Sequence, residues 1–245
     1  MDVNKDDSNK DVRYAYFHAD KDGNLGRPMD KKESIEFYWQ TADEDPSLLA
    51  DLYLDFYTFS RVEFLIFRDR LSSAILVSNA AKKTIAEMES KFKAQQQSGS
   101  HRIPGWEGES DLVLEEKLGI IEDTYRISIG ATIVTAVTAL ESLLIDLTPG
   151  SDPKPRGLHR LLLAFLKRYK VSKSRSEHIT EMGLKVGRRR NIFAHTLTGS
   201  YFANDKSPQA MFTLETMEDT LYTVSKIAIL MEELVLANDS SDSAL

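Results

Sequence analysis

The chain has 245 residues, of which 42% are hydrophobic, and its formal net charge is −7. This length and composition predict a soluble globular protein with a buried core, in one large domain or two small ones. The absence of cysteine excludes disulfides, thiolate metal sites and cysteine nucleophiles, and it agrees with a reducing cytoplasm. The net charge argues against indiscriminate nucleic-acid binding.

Residues 1–46 are predicted to form an N-terminal extension that is partly disordered and contains a small β-hairpin. Residues 1–12 are polar, and their charged start predicts no secretion signal. Residues 12–17 and 34–39 are rich in β-favouring side chains, and a turn-rich segment lies between them.

Residues 47–100 are predicted to be a long helical segment that packs on the rest of the protein. No glycine or proline occurs from residue 48 to residue 97, which indicates one very long helix or two helices with a break near residues 58–61. The aromatic side chains between residues 53 and 67 favour core packing, although a partner-binding or dimer surface would use the same residues.

Residues 111–147 form a second predicted helix. The uncharged apolar-rich run at 127–140 is shorter than the roughly 20 residues that cross a bilayer, so this helix is predicted to be buried and no membrane association is expected. Glu141 interrupts the apolar pattern, and a carboxylate at such a position costs free energy unless it is exposed or paired. An arginine from the later basic segment is the expected partner, and a catalytic role for Glu141 stays open. The predicted apolar stripe consists of Ile133, Val137, Leu140, Leu144 and Leu147.

Residues 154–190 carry a net charge of +10, whereas the rest of the chain carries −17. Such a segment could direct RNA to one face, or it could be an ordinary solvated helix surface. It contains a short predicted amphipathic helix at 158–169, where His159 is interpreted as a capping or surface residue. A second predicted helix at 174–195 has a buried stripe of Ile179, Met182, Val186 and Phe193. A final helix is predicted at 212–236, followed by a disordered tail at 238–245.

The helix at 174–195 ends in the run Arg188-Arg189-Arg190-Asn191-Ile192-Phe193-Ala194-His195. Because each helical residue advances by about 100 degrees, Arg188, Asn191 and His195 share one stripe, and Arg190 lies about 140 degrees from His195. Permanent cations beside one titratable imidazole suit a phosphodiester. Gly183 and Gly187 would allow close approach of another helix or of a phosphate backbone.

The segment from Arg190 to His195 resembles the signature of the HEPN family, helical nucleases and nucleotide-binding modules marked by an Arg, four to six intervening residues and a His. The run at 134–147 is similar to the earlier helix of that family, and the two features come in the expected order. The likeness covers residues 111–236. It implies a mainly α, antiparallel helical bundle, with residues 111–237 as a HEPN-like core.

The resemblance implies an endoribonuclease that works without a metal ion or other cofactor and leaves a cyclic phosphate. His195 would act as general acid or base, Arg190 would stabilise the phosphate and Asn191 would orient the substrate, with Arg188, Arg189 and Glu141 in supporting roles. Both proton transfers need a group, so a homodimer would supply a second imidazole. The family further implies a toxin or antiviral role and restraint by an antitoxin or other regulatory protein.

Two alternatives stay open. The chain could be a non-catalytic HEPN-like helical module that binds a nucleotide, RNA or a partner protein, with His195 as a structural cap at the helix end. It could also be an interaction protein that uses the aromatic residues between 48 and 67. The other expected chemistries have no motif here, because the sequence contains no phosphate-cradling glycine loop, zinc-binding helix or serine nucleophile turn.

Overall fold

The structure is a computed structural model, and it describes residues 16–19, 25–29, 46–149, 156–198 and 212–242. Within these residues the protein is mainly α-helical, as the sequence predicts. A short 3-10 helix spans Pro46–Ala50. The α-helices that follow are α1 (Val62–Ser98), α2 (Glu107–Leu147), α3 (Leu158–Arg168), α4 (Lys173–Thr198) and α5 (Leu214–Asp242).

Two short antiparallel strands precede the helices, β1 (Tyr16–Ala19) and β2 (Leu25–Met29). Tyr16 pairs with Met29, and Ala19 pairs with Leu25. The predicted strand at 12–17 overlaps β1 by two residues, whereas β2 lies in the segment expected to be a turn. Both strands of a two-stranded ribbon are edges, which is why Pro28 is tolerated there. The second predicted strand, at 34–39, and the predicted tail end at 243–245 lie outside the described residues.

The glycine-free segment after residue 48 does not form one helix. The 3-10 helix ends at Ala50, residues 51–61 are irregular, and α1 begins at Val62. The break is held by Glu232 of α5, whose fully buried carboxylate accepts hydrogen bonds from the backbone N–H groups of Ser60 and Arg61 at 2.9 and 3.0 Å. A distant carboxylate therefore fixes where α1 starts, as an N-cap side chain would.

Helix α2 is the centre of the bundle, because α1, α3, α4 and α5 all pack against it. One hydrophobic core runs from Leu49 to Val235, so the two helical segments distinguished in the sequence share a single core. The predicted apolar stripe of α2 is buried, and Ile179, Val186 and Phe193 of α4 are buried as predicted. Met182, the fourth predicted member, is half-buried.

Two glycines set how closely α4 approaches its neighbours. A Cβ atom at Gly130 of α2 would lie 1.9 Å from the ring of Phe193, so the ring occupies the place of a side chain there. A Cβ atom at Gly183 would lie 2.1 Å from Leu162 of α3. Gly183 therefore serves helix packing, one of the two uses that its spacing with Gly187 suggested.

Helices α2, α4 and α5 are longer than predicted. Helix α5 continues to Asp242, beyond the predicted end at residue 236, and Asp239 in its last turns forms an ion pair with Arg61 at 2.6 Å. Helix α2 is long and apolar enough by composition to cross a membrane. The core helix of a soluble protein has the same composition, and 56% of the most apolar window of α2 is buried inside this fold.

Candidate nucleic-acid interface

The three consecutive arginines of α4 have different surroundings. Arg189 donates to a carboxylate oxygen of Asp219 at 2.5 Å and to the Thr220 hydroxyl at 3.0 Å. Arg190 donates to the carboxylate of Glu141. Arg188 is exposed and forms no ion pair or hydrogen bond with any residue that the structure describes. Only Arg188 of the three therefore keeps its whole guanidinium group for a ligand.

Arg189 and Lys185 together hold Asp219 of α5, with the ammonium group of Lys185 at 2.7 Å from the carboxylate. Burial alone would raise the pKa of Asp219, but hydrogen bonds from Lys185 and Arg189 outweigh it and keep the pKa below its usual value. The cluster ties α4 to α5. Arg189, predicted to support the site, is thus engaged in the fold.

The Arg190–Glu141 ion pair supplies the partner that the sequence predicted for Glu141. The two side chains are 27% and 17% exposed, so the pair lies at the edge of the core between α2 and α4. The Nε atom of Arg190 is buried and donates to no described residue. The pair fixes the Arg190 side chain and offsets much of its charge, which weakens the expectation that Arg190 is the principal phosphate ligand.

A groove of about 320 Å³ opens between the first turn of α3 and the second half of α4. Arg188, predicted to support the site, and Asn191, predicted to orient the substrate, both contribute to its wall. Arg190 also lines this groove. The remaining residues of the wall are Arg156, Gly157, Leu158, His159, Arg160, Gly183, Leu184 and Gly187.

The groove is basic, and among the residues that the structure describes its lining contains no aspartate or glutamate. Arg156, Arg160 and Arg188 are exposed, and none of them forms an ion pair with a residue in the described part of the chain. Like charges that converge without a counterion repel one another, and an anion in the groove would relieve that repulsion. The groove therefore suits phosphate groups, with Asn191 available as a hydrogen-bond donor or acceptor.

The first turn of α3 adds to the positive potential of the groove. Its N-cap is Gly157, at φ 80°, where a backbone without a side chain avoids strain and supplies no capping oxygen. The first N–H groups of a helix have no acceptor within the helix. Gly157 supplies no side-chain cap, so the amide groups of this turn add to the positive potential beside the basic residues.

His195 lies within α4, four residues after Asn191, and α4 continues to Thr198 instead of ending directly after the histidine as predicted. The side chain of His195 lies outside the described residues, so its place on the Arg188–Asn191 stripe stays a prediction from helical geometry.

The sequence prediction missed the contribution of α3. Arg156, His159 and Arg160 complete the groove, and His159 is exposed, in agreement with its interpretation as a surface residue. The signal was present in the charge of residues 154–190. It identified a basic segment but not the packing of α3 on α4 that brings these side chains to Arg188.

Comparison with known proteins found no matching family model, no matching curated protein and no matching solved structure. Within the described part of the chain, no three His, Asp or Glu side chains lie together as a metal site would require. Fold and groove together describe a mainly α-helical protein that has an acidic body and a localised basic face.

Proposed function

We propose that the protein is a metal-independent endoribonuclease with a HEPN-like helical bundle, which binds RNA phosphates in the groove between α3 and α4. The observation that carries the proposal is that Arg156, Arg160 and Arg188 line one groove, with no carboxylate among its described lining residues, beside Asn191 on the helix that also contains His195. Arginine is well suited to phosphate because its planar donors can bind two oxygens at once.

The proposed reaction is attack of a ribose 2′-hydroxyl on the adjacent phosphorus. His195, whose ordinary pKa lies near neutral pH, would take or give one of the protons. Arginine donors would stabilise the charge that grows on the phosphoryl oxygens. In this scheme Arg188 is the main arginine that stabilises the phosphoryl charge. Arg190 is held by its ion pair with Glu141 and forms part of the groove wall.

The proposed context follows the family resemblance. The protein would act in the cytoplasm as a homodimer, as a toxin or antiviral effector that an antitoxin or other regulatory protein restrains. A homodimer would also double the arginine donors near the RNA.

One observation favours a second candidate function, a non-catalytic module that binds RNA or a nucleotide. Glu141 pairs with Arg190, the arginine of the Arg-to-His signature, and this contact offsets the charge that catalysis would use. The basic groove would then bind phosphate without cleaving it.

The test is cleavage of a mixed pool of single-stranded RNA and tRNA in EDTA, with the wild-type protein and His195→Ala compared. The proposal expects EDTA-resistant cleavage by the wild type, 2′,3′-cyclic phosphate ends, and loss of both in the variant. Tight binding by both proteins without any cleavage would support the binding module instead.

A further inference from the structure

We propose that His159 is the second proton-transfer group of this site. The inference rests on the proposed ribonuclease function and adds a catalytic residue to it. Cleavage of a phosphodiester by its own 2′-hydroxyl needs one group that removes a proton and another that supplies one. Helix α3 contributes the imidazole of His159 to the groove wall, and His195 of α4 is the other candidate by helical geometry.

His159 is well placed for contact with a bound phosphodiester. It is exposed, it lies in the first turn of α3, and it belongs to the wall of the groove with Arg188 and Asn191. It forms no hydrogen bond or ion pair with any described residue. No polar contact with the described residues therefore holds its imidazole in the fold.

The packing of α3 on α4 determines which part of α4 His159 faces. Leu162 contacts Gly183, and Leu158 lies near Gly187, so the two helices run antiparallel. The first turn of α3 therefore lies beside residues 187–191 of α4. His195 is four residues further on, about 6 Å along the helix axis from Asn191.

This arrangement places a phosphate held by Arg188 and Asn191 between the first turn of α3 and the last turns of α4. One histidine takes the proton of the 2′-hydroxyl while the bond from O2′ to phosphorus forms. The other gives a proton to O5′ while the bond from phosphorus to O5′ breaks. The products are a 2′,3′-cyclic phosphate and a 5′-hydroxyl, and no oxidant, reductant or further reactant is needed.

The competing arrangement takes the second imidazole from His195 of a second copy of the chain. The two arrangements predict different behaviour of a His159 variant. If both proton transfers use His195 residues, replacement of His159 leaves the dependence of the rate on pH unchanged. If His159 acts in the reaction, one limb of the bell-shaped pH profile disappears.

The experiment measures single-turnover cleavage of RNA between pH 5 and pH 9 by the wild type, His159→Ala and His178→Ala. His178 is the matched control, because it is an exposed histidine of α4 outside the groove. Affinity is measured separately with 2′-deoxy RNA, which cannot react. We expect His159→Ala to be on the order of 100-fold to 10,000-fold slower and to lose one limb of the profile. Its affinity should stay within about threefold, a difference below 1 kcal/mol.

A substrate with sulfur in place of the leaving O5′ separates the two possible roles, because the thiolate leaves without a proton. Recovery of the His159→Ala rate on this substrate identifies His159 as the acid, whereas a persistent loss identifies it as the base. A His159→Ala enzyme that cleaves like His178→Ala with an intact bell-shaped profile overturns the inference. A folded wild type that binds RNA but does not cleave it would instead refute the ribonuclease function itself.

Discussion

Neighbouring residues of one helix can have quite different duties, as Arg188, Arg189 and Arg190 show. A helix turns by about 100 degrees per residue, so three consecutive side chains leave it in three directions. Arg189 contacts Asp219 of α5, and Arg190 contacts Glu141 of α2. Arg188 lines the groove without an ion pair to a described residue. The carboxylates available on adjacent helices thus decide which arginine is left for a ligand.

The half-buried pair of Glu141 and Arg190 should contribute measurably to stability. Glu141→Gln would leave the guanidinium group of Arg190 without its counterion, at a cost of about 1–2 kcal/mol in the free energy of unfolding. Urea denaturation measures this cost, and a double-mutant cycle with Arg190→Gln should give a coupling of about 1 kcal/mol. Glu122→Gln is the control, because Glu122 pairs with Arg126 on the exposed surface of α2 and its loss should cost less than about 0.5 kcal/mol. Equal losses for both glutamates would contradict the prediction.

Asp219 should make stability depend on pH in the acid range. Its pKa in the folded protein lies below the ordinary value of 3.8 because Lys185 and Arg189 outweigh the effect of burial. The contribution is therefore fully present above pH 3.8 and is lost as the pH falls through the lower folded pKa. The carboxylate is 42% exposed, so solvent screening keeps the effect below about 1 kcal/mol. Urea midpoints at pH 5 and pH 3 should fall further apart for the wild type than for Asp219→Asn.

At the scale of elements, the helices that the sequence predicted best are those whose pattern is local. The apolar stripes of α2 and α4 follow the helical period, so their buried faces could be predicted from spacing alone. The start of α1 could not be predicted in this way, because the group that fixes it is Glu232, which lies on the last helix of the chain. The groove could not be predicted either, because it depends on contacts between distant segments. His159 and Arg188 line the same groove only because α3 packs on α4.

The crossing of α2 and α4 should depend on the absence of a side chain at Gly130. Gly130→Ala places a methyl group where the Phe193 ring lies, and such overpacking typically costs 1–3 kcal/mol. Gly119→Ala is a matched control in the same helix, because its Cβ would meet no atom within 4 Å. Alanine there should stabilise the helix by about 0.5–1 kcal/mol. Thermal unfolding monitored by circular dichroism would separate the two variants, and a similar change in both would show that Phe193 does not depend on the glycine.

At the scale of the whole molecule, charge is distributed so that a protein with a net charge of −7 still presents a basic surface. The segment at 154–190 accounts for this surface, but much of its charge is offset by ion pairs, including those of Lys185 and Arg175 with Asp219 and Glu233. Among the cations of this segment that form no ion pair with a described residue, Arg156, Arg160 and Arg188 line one groove, whereas Lys167, Arg168 and Lys170 lie outside it. RNA binding should therefore depend on a few arginines rather than on the overall charge.

Salt dependence tests this conclusion directly. Each phosphate that a basic side chain neutralises releases counterions, so for single-stranded RNA the logarithm of the binding constant falls with the logarithm of salt by about 0.7 per contact. The unpaired arginines of the groove would thus supply a slope of about −2. Replacement of Arg156, Arg160 and Arg188 by glutamine should remove that part of the slope. Fluorescence anisotropy of labelled RNA measures the slope, with KCl varied from about 50 to about 200 mM.

A second triple variant separates the groove from the overall charge. Lys91, Lys167 and Lys226 are exposed and lie outside the groove lining, and their replacement by glutamine gives the same net charge as the arginine variant. This control should keep the slope of the wild type, because counterions are released only where phosphate is bound. If the lysine variant loses as much slope as the arginine variant, RNA contacts the surface diffusely, and the groove has no special part in binding.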